Sequence, residues 1–265
     1  MYLEVVRRPA KMNIKDQRQH PPILFVHGSY CAAWIWDEKF MPYFAEQGYS
    51  CNAVSLRGHG ASEGLLAWAS LADYVDDVAK AAAGLGAPPI IIGHSMGGLV
   101  VQHVLARQKT AAAVLVSAVP PSGLASSVMH MTMFSPDVLW QLGLLQSLGP
   151  EAVSPEVVRR AFFTDGTSVQ VVHNLLPRLQ AESHRIAAEL MAPAQPTPPA
   201  DRIPVLVLGG DADIFLPASA FRETATFFGG DMEILKGAPH GLMIDPQWWQ
   251  PAADAILAWL AGKNL

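Results

Sequence analysis

The feature that most constrains this chain is a Gly-x-Ser-x-Gly sequence set between an apolar strand pattern and an apolar helix pattern. The β-branched run at residues 90–92 follows a Pro-Pro pair and is typical of a strand buried on both faces. Residues 99–106 have a helix-compatible apolar pattern. Glycines two residues before and two after Ser95 let strand and helix pass close to a sharply turned serine. This arrangement predicts an exposed serine at a helix N-terminus, although the motif alone also fits a plain serine–glycine turn.

Strand and helix patterns alternate along most of the remaining chain. The predicted strands are residues 23–26, 49–55, 113–117, 204–208 and 232–235, and the predicted helices are residues 37–47, 71–83 and 248–260. An opening hairpin is predicted from residues 2–6 and 12–14. Strands alternating with helices at this spacing predict an α/β fold with a doubly wound, mostly parallel sheet.

The alternation stops between residues 122 and 199, where the pattern is helical and no core strand is apparent. The first half of this segment is rich in methionine, which fits either the interior of helix packing or the lining of a pocket. Its end, residues 191–199, is a proline-rich connector. The predicted organisation is therefore a core built from residues 1–121 and 200–265, with a helical cap inserted at residues 122–199.

Composition excludes several classes of function. A chain of 265 residues that is 51% hydrophobic can bury the core of one such domain, and its net charge of -5 with no basic run predicts no nucleic-acid partner. Cys31 and Cys51 are expected to be unlinked buried thiols. No segment resembles a signal peptide or a membrane span, so a cytoplasmic protein with no membrane partner is expected. No cluster of His, Cys or Asp residues has the spacing of metal ligands, so no metal is expected. No dinucleotide-binding Gly-x-Gly-x-x-Gly follows a predicted strand, so no other cofactor is expected. The oligomeric state stays open.

With these elements in place, the chain resembles the α/β-hydrolase superfamily from about residue 20 to its C-terminus, apart from the middle segment. The resemblance is specific for the fold and the catalytic apparatus, and much less so for the substrate. It is carried by His27-Gly28-Ser29, Arg57-Gly58-His59-Gly60-Ala61-Ser62, Gly93-His94-Ser95-Met96-Gly97-Gly98, Gly209-Gly210-Asp211-Ala212-Asp213 and Pro239-His240-Gly241.

The resemblance implies a catalytic triad in the chain order serine, acid, histidine. Ser95 would be the nucleophile, and His240, in a turn after the last predicted strand, would be the base. Asp211 and Asp213 both follow the strand at residues 204–208. Asp213 is favoured as the acid because it stands four residues before Pro217, which matches the spacing in the family, while Asp211 is expected to bond nearby backbone amides.

The resemblance also implies an oxyanion hole made of two backbone amides. One would belong to Met96, the residue after the nucleophile. The other would come from the loop after the strand at residues 23–26, from Ser29 or, failing that, from Tyr30.

Four further polar residues in these motifs are expected to support the site without moving protons. His27 would brace the oxyanion loop by hydrogen bonds, and His94 would pack and bond behind the serine turn. Arg57 and His59 would stabilise their own loop.

These residues predict a serine hydrolase that cleaves an uncharged, moderately hydrophobic small molecule with an ester, lactone or thioester bond. Two alternatives remain open. One is a non-hydrolytic member of the superfamily that carries out cofactor-free dioxygenation, perhydrolysis or lyase chemistry such as cyanohydrin cleavage. The other is a ligand receptor on the same scaffold. Epoxide hydrolase and dehalogenase chemistry is disfavoured because those members carry an aspartate where this chain has Ser95.

Overall fold

A seven-stranded sheet lies at the centre of the computed structural model, which describes residues 1–11 and 20–265. Its strands in chain order are β1 (Val5–Arg8), β2 (Ile23–Val26), β3 (Cys51–Val54), β4 (Ile90–His94), β5 (Ala112–Val116), β6 (Val205–Gly210) and β7 (Asp231–Leu235). They are arranged in the order β1-β3-β2-β4-β5-β6-β7, and the pairs are parallel except for β1 with β3. The mostly parallel α/β sheet predicted from the sequence is confirmed.

Helices cover both faces of this sheet and also fill the middle segment. They are α1 (Trp34–Asp37), α2 (Phe40–Glu46), α3 (Leu71–Ala83), α4 (Met96–Val104), α5 (Ala125–Phe134), α6 (Pro136–Leu148), α7 (Pro155–Phe162), α8 (Val169–Leu175), α9 (His184–Glu189), α10 (Ala218–Phe228) and α11 (Trp249–Gly262). Helices α1, α2 and α11 pack on one face, and α3, α4 and α10 pack on the other. Five helices, α5 to α9, separate β5 from β6, and no strand is assigned between these two strands.

The central strands owe their position to largely apolar sequence. Every residue of β2, β4 and β5 is buried, with alternate side chains entering the two apolar layers above and below the sheet. Parallel pairing brings the carboxyl ends of these strands to one edge of the sheet. In open α/β sheets that edge is where ligands bind.

The opening and first helix differ from the sequence prediction. Strand β1 pairs with β3, and residues 12–14, the other half of the predicted hairpin, lie outside the described residues. The predicted helix at 37–47 is divided into α1 and α2, with the break at Lys39. Pro42 explains the break, because its ring would clash with the carbonyl of residue 38 and it has no N–H for that carbonyl. Proline is tolerated in the first turn of α2.

The methionine-rich first half of the middle segment fits neither proposed role in full. Met131 is buried, whereas Met129 and Met133 on the same helix are 63% and 68% exposed. Trp140 on α6 is 68% exposed. Helices α5 and α6 therefore present several large apolar side chains to solvent.

Cys31 and Cys51 are both buried and unlinked, as expected. Among the helices of residues 1–11 and 20–265, none combines the length and apolar character needed to cross a bilayer.

Candidate active site

Ser95 stands at the turn between β4 and α4 in a backbone conformation that non-glycine residues rarely adopt. Its φ is 53° and its ψ is -120°. Its amide donates to the carbonyl of Val116 (3.1 Å), and its own carbonyl accepts from the amide of Val119 (3.1 Å). The side chain is partly exposed although its neighbours on both sides are buried. The sharply turned, accessible serine predicted from Gly-x-Ser-x-Gly is confirmed.

The flanking glycines allow backbones to approach where a side chain would not fit. A Cβ atom on Gly93 would lie 2.6 Å from the carbonyl oxygen of Gly97, and a Cβ on Gly97 would lie 2.3 Å from the carbonyl oxygen of His27. The first turn of α4 is thus pressed against β4 and against the end of β2. This close packing places the N-terminus of α4 beside Ser95.

This packing gives a stability prediction with a built-in comparison. We expect Gly97→Ala to lower the free energy of unfolding by about 1–3 kcal/mol or more, since the new methyl group meets rigid backbone. Gly143→Ala should raise it by about 0.5–1 kcal/mol, because Gly143 lies in the interior of α6 with open space around its Cα. Urea unfolding of both variants and the unmodified protein measures the difference. Equal stability of Gly97→Ala and the unmodified protein would contradict the account of the turn.

The loop after β2 lies directly against this serine. A Cβ atom on Gly28 would be 3.1 Å from Cβ of Ser95, and the Ser29 hydroxyl donates to Sδ of Met96 over 3.3 Å. The structure therefore brings together Ser29 and Met96, the two residues predicted to supply oxyanion amides. Tyr30, the alternative donor, has a φ of 65°.

His27 braces this loop as predicted. Its Nε2 accepts a hydrogen bond from the amide of Leu56 (3.0 Å), so its Nδ1 carries the proton and donates to the carbonyl of Gly28 (2.8 Å). Burial, together with the neighbouring His59, lowers the pKa of His27 to about 3. A histidine that is neutral and bonded at both nitrogens fixes the loop and does not exchange protons there.

Asp213 and His240 are in direct contact at the same edge of the sheet. The Asp213 carboxylate accepts from Nδ1 of His240 over 2.7 Å and, through its other oxygen, from the amides of Phe215 (2.9 Å) and Leu216 (3.0 Å). Both side chains are buried. Asp211 is exposed and accepts from the amide of Gly237, which is the loop-capping role expected for it. Of the two candidate acids, the structure places Asp213 beside the histidine.

The surroundings of His240 are largely aromatic. The rings of Phe215 and Phe162 pack edge to face with its ring, with centroids 4.7 and 5.7 Å away. His94 lies behind it, and its Nε2 is 3.1 Å from the carbonyl of His240. Burial, reinforced by the nearby His240, keeps the pKa of His94 well below its usual value, so His94 is neutral and donates from Nε2. The expected packing and bonding role of His94 is confirmed, and its partner is the backbone of His240 itself.

Arg57 and His59 stabilise their loop through contacts with acidic side chains, as expected. The Arg57 guanidinium binds the carboxylates of Asp73 and Asp77 on α3. His59 is fully buried, with Nε2 3.5 Å from the Glu182 carboxylate, which comes from the middle segment. Neither side chain contacts Ser95 or His240 in any hydrogen bond or ion pair of the described chain.

The sequence model of the alpha/beta hydrolase family matches residues 23–251, which is most of the chain. The chain belongs to this family. A non-heme chloroperoxidase of Streptomyces lividans is 38% identical over 104 residues, which cover 38% of this chain and 37% of that protein. An (E)-2-((N-methylformamido)methylene)succinate hydrolase of Acinetobacter baylyi is 32% identical over 90 residues, or 34% of each chain. The chain thus aligns with little more than a third of the length of either relative.

A solved structure extends the likeness to the whole fold. The monoacylglycerol lipase of Paleococcus ferrophilus superposes with a TM-score of 0.70 at 20% identity, covering 99% of both chains. At this identity the superposition shows a shared architecture. Solved structures that share this fold are named as a lipase and as a bromoperoxidase, so the fold alone does not decide the activity of this chain.

Sequence reasoning missed one group of residues around the histidine loop. Asp245, five residues after His240, is fully buried and accepts four hydrogen bonds. The sequence Asp-Pro before the last helix is typical of a turn closed by the aspartate side chain, and could have indicated half of this role. The other half is a contact with Thr164, and nothing local in the sequence points to it.

Proposed function

We propose that the protein is a serine hydrolase that cleaves an uncharged, moderately hydrophobic ester, or a related lactone or thioester. The observation that carries the proposal is the 2.7 Å contact between His240 and Asp213, at the sheet edge where Ser95 is held in its strained turn. A serine hydroxyl is a weak nucleophile unless a base takes its proton, and the base needs a partner that fixes its tautomer.

The geometry supports the following sequence of steps. The Asp213 carboxylate can only accept, so Nδ1 of His240 carries a proton and Nε2 is left to take the proton of Ser95. Ser95 Oγ then bonds to the substrate carbonyl carbon, and the amides of Ser29 and Met96 stabilise the negative oxygen. His240 returns its proton to the departing alcohol or thiol. Water, deprotonated by the same histidine, releases the acid and frees Ser95.

The substrate class rests on what surrounds the base. Phe162, which belongs to the middle segment at residues 122–199, and Phe215, which follows β6, both pack against the His240 ring and against each other. In the proposal this segment is the cap that closes over the site. It touches both catalytic loops, since Phe162 lies against His240 and the amide of Gln180 donates to the carbonyl of Tyr30 (2.8 Å). An apolar site favours an uncharged acyl group.

A labelling experiment beside a substrate series tests this proposal. We expect a fluorophosphonate to add once to the intact protein, at Ser95, and p-nitrophenyl esters of increasing acyl length to show an optimum in kcat/KM. The optimum would size the acyl site. An intact protein that takes no label and turns over no ester would refute the proposal.

Perhydrolysis is a second candidate, favoured by the 38% identity with a chloroperoxidase over 104 residues. The same serine and histidine would then pass an acyl group to hydrogen peroxide in place of water. A peracid assay with acetate and peroxide, run on the same preparation as the ester series, separates the two. Peracid formation exceeding ester hydrolysis would favour this candidate.

A further inference from the structure

We propose that Asp245 and Thr164 form a positioning pair that holds the loop carrying His240 against the helical segment at residues 122–199. The inference rests on the proposed role of His240 as the base. Neither residue touches the reacting atoms. Their effect on catalysis would come through the placement of the imidazole.

The Asp245 carboxylate divides its hydrogen bonds between two parts of the molecule. One oxygen accepts from the amides of Gln247 (2.8 Å) and Trp248 (3.1 Å), where α11 begins. The other accepts from the amide and the hydroxyl of Thr164 (2.7 and 2.9 Å), just beyond α7. Closing the turn that leads into α11 needs only the first oxygen. The second oxygen ties the C-terminal loop to a residue 81 positions earlier in the chain.

Short backbone contacts connect this tie to His240. The amide of Asp245 donates to the carbonyl of Gly241 (2.9 Å), and the amide of Gly241 donates to the carbonyl of Phe162 (3.0 Å). A Cβ atom on Gly241 would lie 2.4 Å from that Phe162 carbonyl, so the two backbones are in direct contact. The Phe162 ring in turn packs edge to face with the His240 ring, and the two ring centroids are 5.7 Å apart. The contacts form a closed circuit from His240 through Asp245 and Thr164 back to His240.

Such a circuit has a consequence for catalysis that ordinary packing does not. A displacement of a catalytic group by about 1 Å can cost about 100-fold in rate. His240 must satisfy Asp213 and Ser95 at once, and its ring sits on a loop that β7 alone would not fix. Loosening the tie should therefore lower kcat while leaving KM nearly unchanged, since an interaction used only in the transition state is being weakened.

The test compares two substitutions at Thr164. Thr164→Val keeps the shape of the side chain and removes the hydroxyl, whereas Thr164→Ser keeps the hydroxyl. We expect Thr164→Val to lower kcat for a p-nitrophenyl ester by about 5- to 20-fold with KM within about 2-fold, and Thr164→Ser to stay within about 2-fold of the unmodified protein. Asp245→Asn, which removes the charge and turns an N–H toward Thr164, should lose more. Asp254→Asn on the surface of α11, where Asp254 binds the Tyr43 hydroxyl, is the matched control and should lose nothing.

A second readout does not depend on turnover. The proton between Nδ1 of His240 and Asp213 should give a low-field proton NMR signal, assigned by its absence in Asp213→Asn. We expect this signal to broaden or shift in Thr164→Val and to be retained in Thr164→Ser. If Asp245→Asn does not fold, the two Thr164 variants still decide the question.

The outcomes separate this inference from the proposed function. An unmodified protein without Ser95 labelling or ester turnover would refute the proposed function, and the NMR comparison would then test the positioning pair by itself. Unchanged kcat and an unchanged signal in Thr164→Val would overturn the pair. A loss of kcat explained wholly by unfolding at the assay temperature, measured by the melting transition of each variant, would overturn it as well.

Discussion

Ser95→Ala is expected to lower the turnover of p-nitrophenyl esters by about 10⁵- to 10⁶-fold while the protein remains folded. The substitution removes only the side-chain hydroxyl, and the proposed covalent step depends on that group. Fluorophosphonate labelling should disappear at the same time. The measurement is kcat for the ester that the unmodified protein prefers, together with the intact mass after labelling.

Ser117→Ala is the matched control for this substitution. Ser117 also follows a central strand, also has a positive φ (40°), and lies beside the nucleophile turn. Its buried hydroxyl has no hydrogen-bond partner in the described chain. We expect it to retain turnover within about 3-fold, since no step of the proposed chemistry uses it. A loss as large as that of Ser95→Ala would mean that the turn tolerates no change, and would remove the evidence for a nucleophile.

The parts of the fold that the sequence predicts well are those fixed by local patterns. The helix at residues 71–83 is observed with the same limits because Ser70 and Asp73 form a capping box at its start. The strand before Ser95 is recognisable because its first three residues are isoleucines. The glycines around Ser95 are informative because each lies where another part of the backbone is too close for a side chain. In each of these places propensity, pattern and packing agree.

The parts that sequence reasoning missed depend on contacts between distant segments. The break at Lys39 could have been anticipated from Pro42, but the start of α1 at Trp34 depends on burial of Trp36 in the core. The exposure of Met129 and Met133 could not have been anticipated, because α5 does not segregate its polar and apolar residues to opposite sides and its sequence does not indicate which side faces the core. The partner of Asp245 lies in another part of the chain.

Asp213→Asn is expected to lower kcat by about 10⁴-fold, on the precedent of the serine protease triad. An asparagine can keep the bonds to the amides of Phe215 and Leu216 through its carbonyl oxygen. It would then turn an N–H₂ group toward Nδ1 of His240, which could bond to it only by giving up the proton on that nitrogen. His240 would carry its proton on Nε2 and could not accept one from Ser95. The measurement is kcat for the preferred ester at a pH where the unmodified protein is most active.

Asp211→Asn is the comparison that makes this result specific. Asp211 lies two residues away in the same loop, is exposed, and bonds the amide of Gly237. We expect its substitution to change kcat by no more than about 3-fold, in keeping with a surface contact. A larger loss from Asp211→Asn than from Asp213→Asn would reverse the assignment of the acid. Since both substitutions remove one negative charge from the same loop, the difference between them reports the hydrogen bond to His240 and not the charge of the loop as a whole.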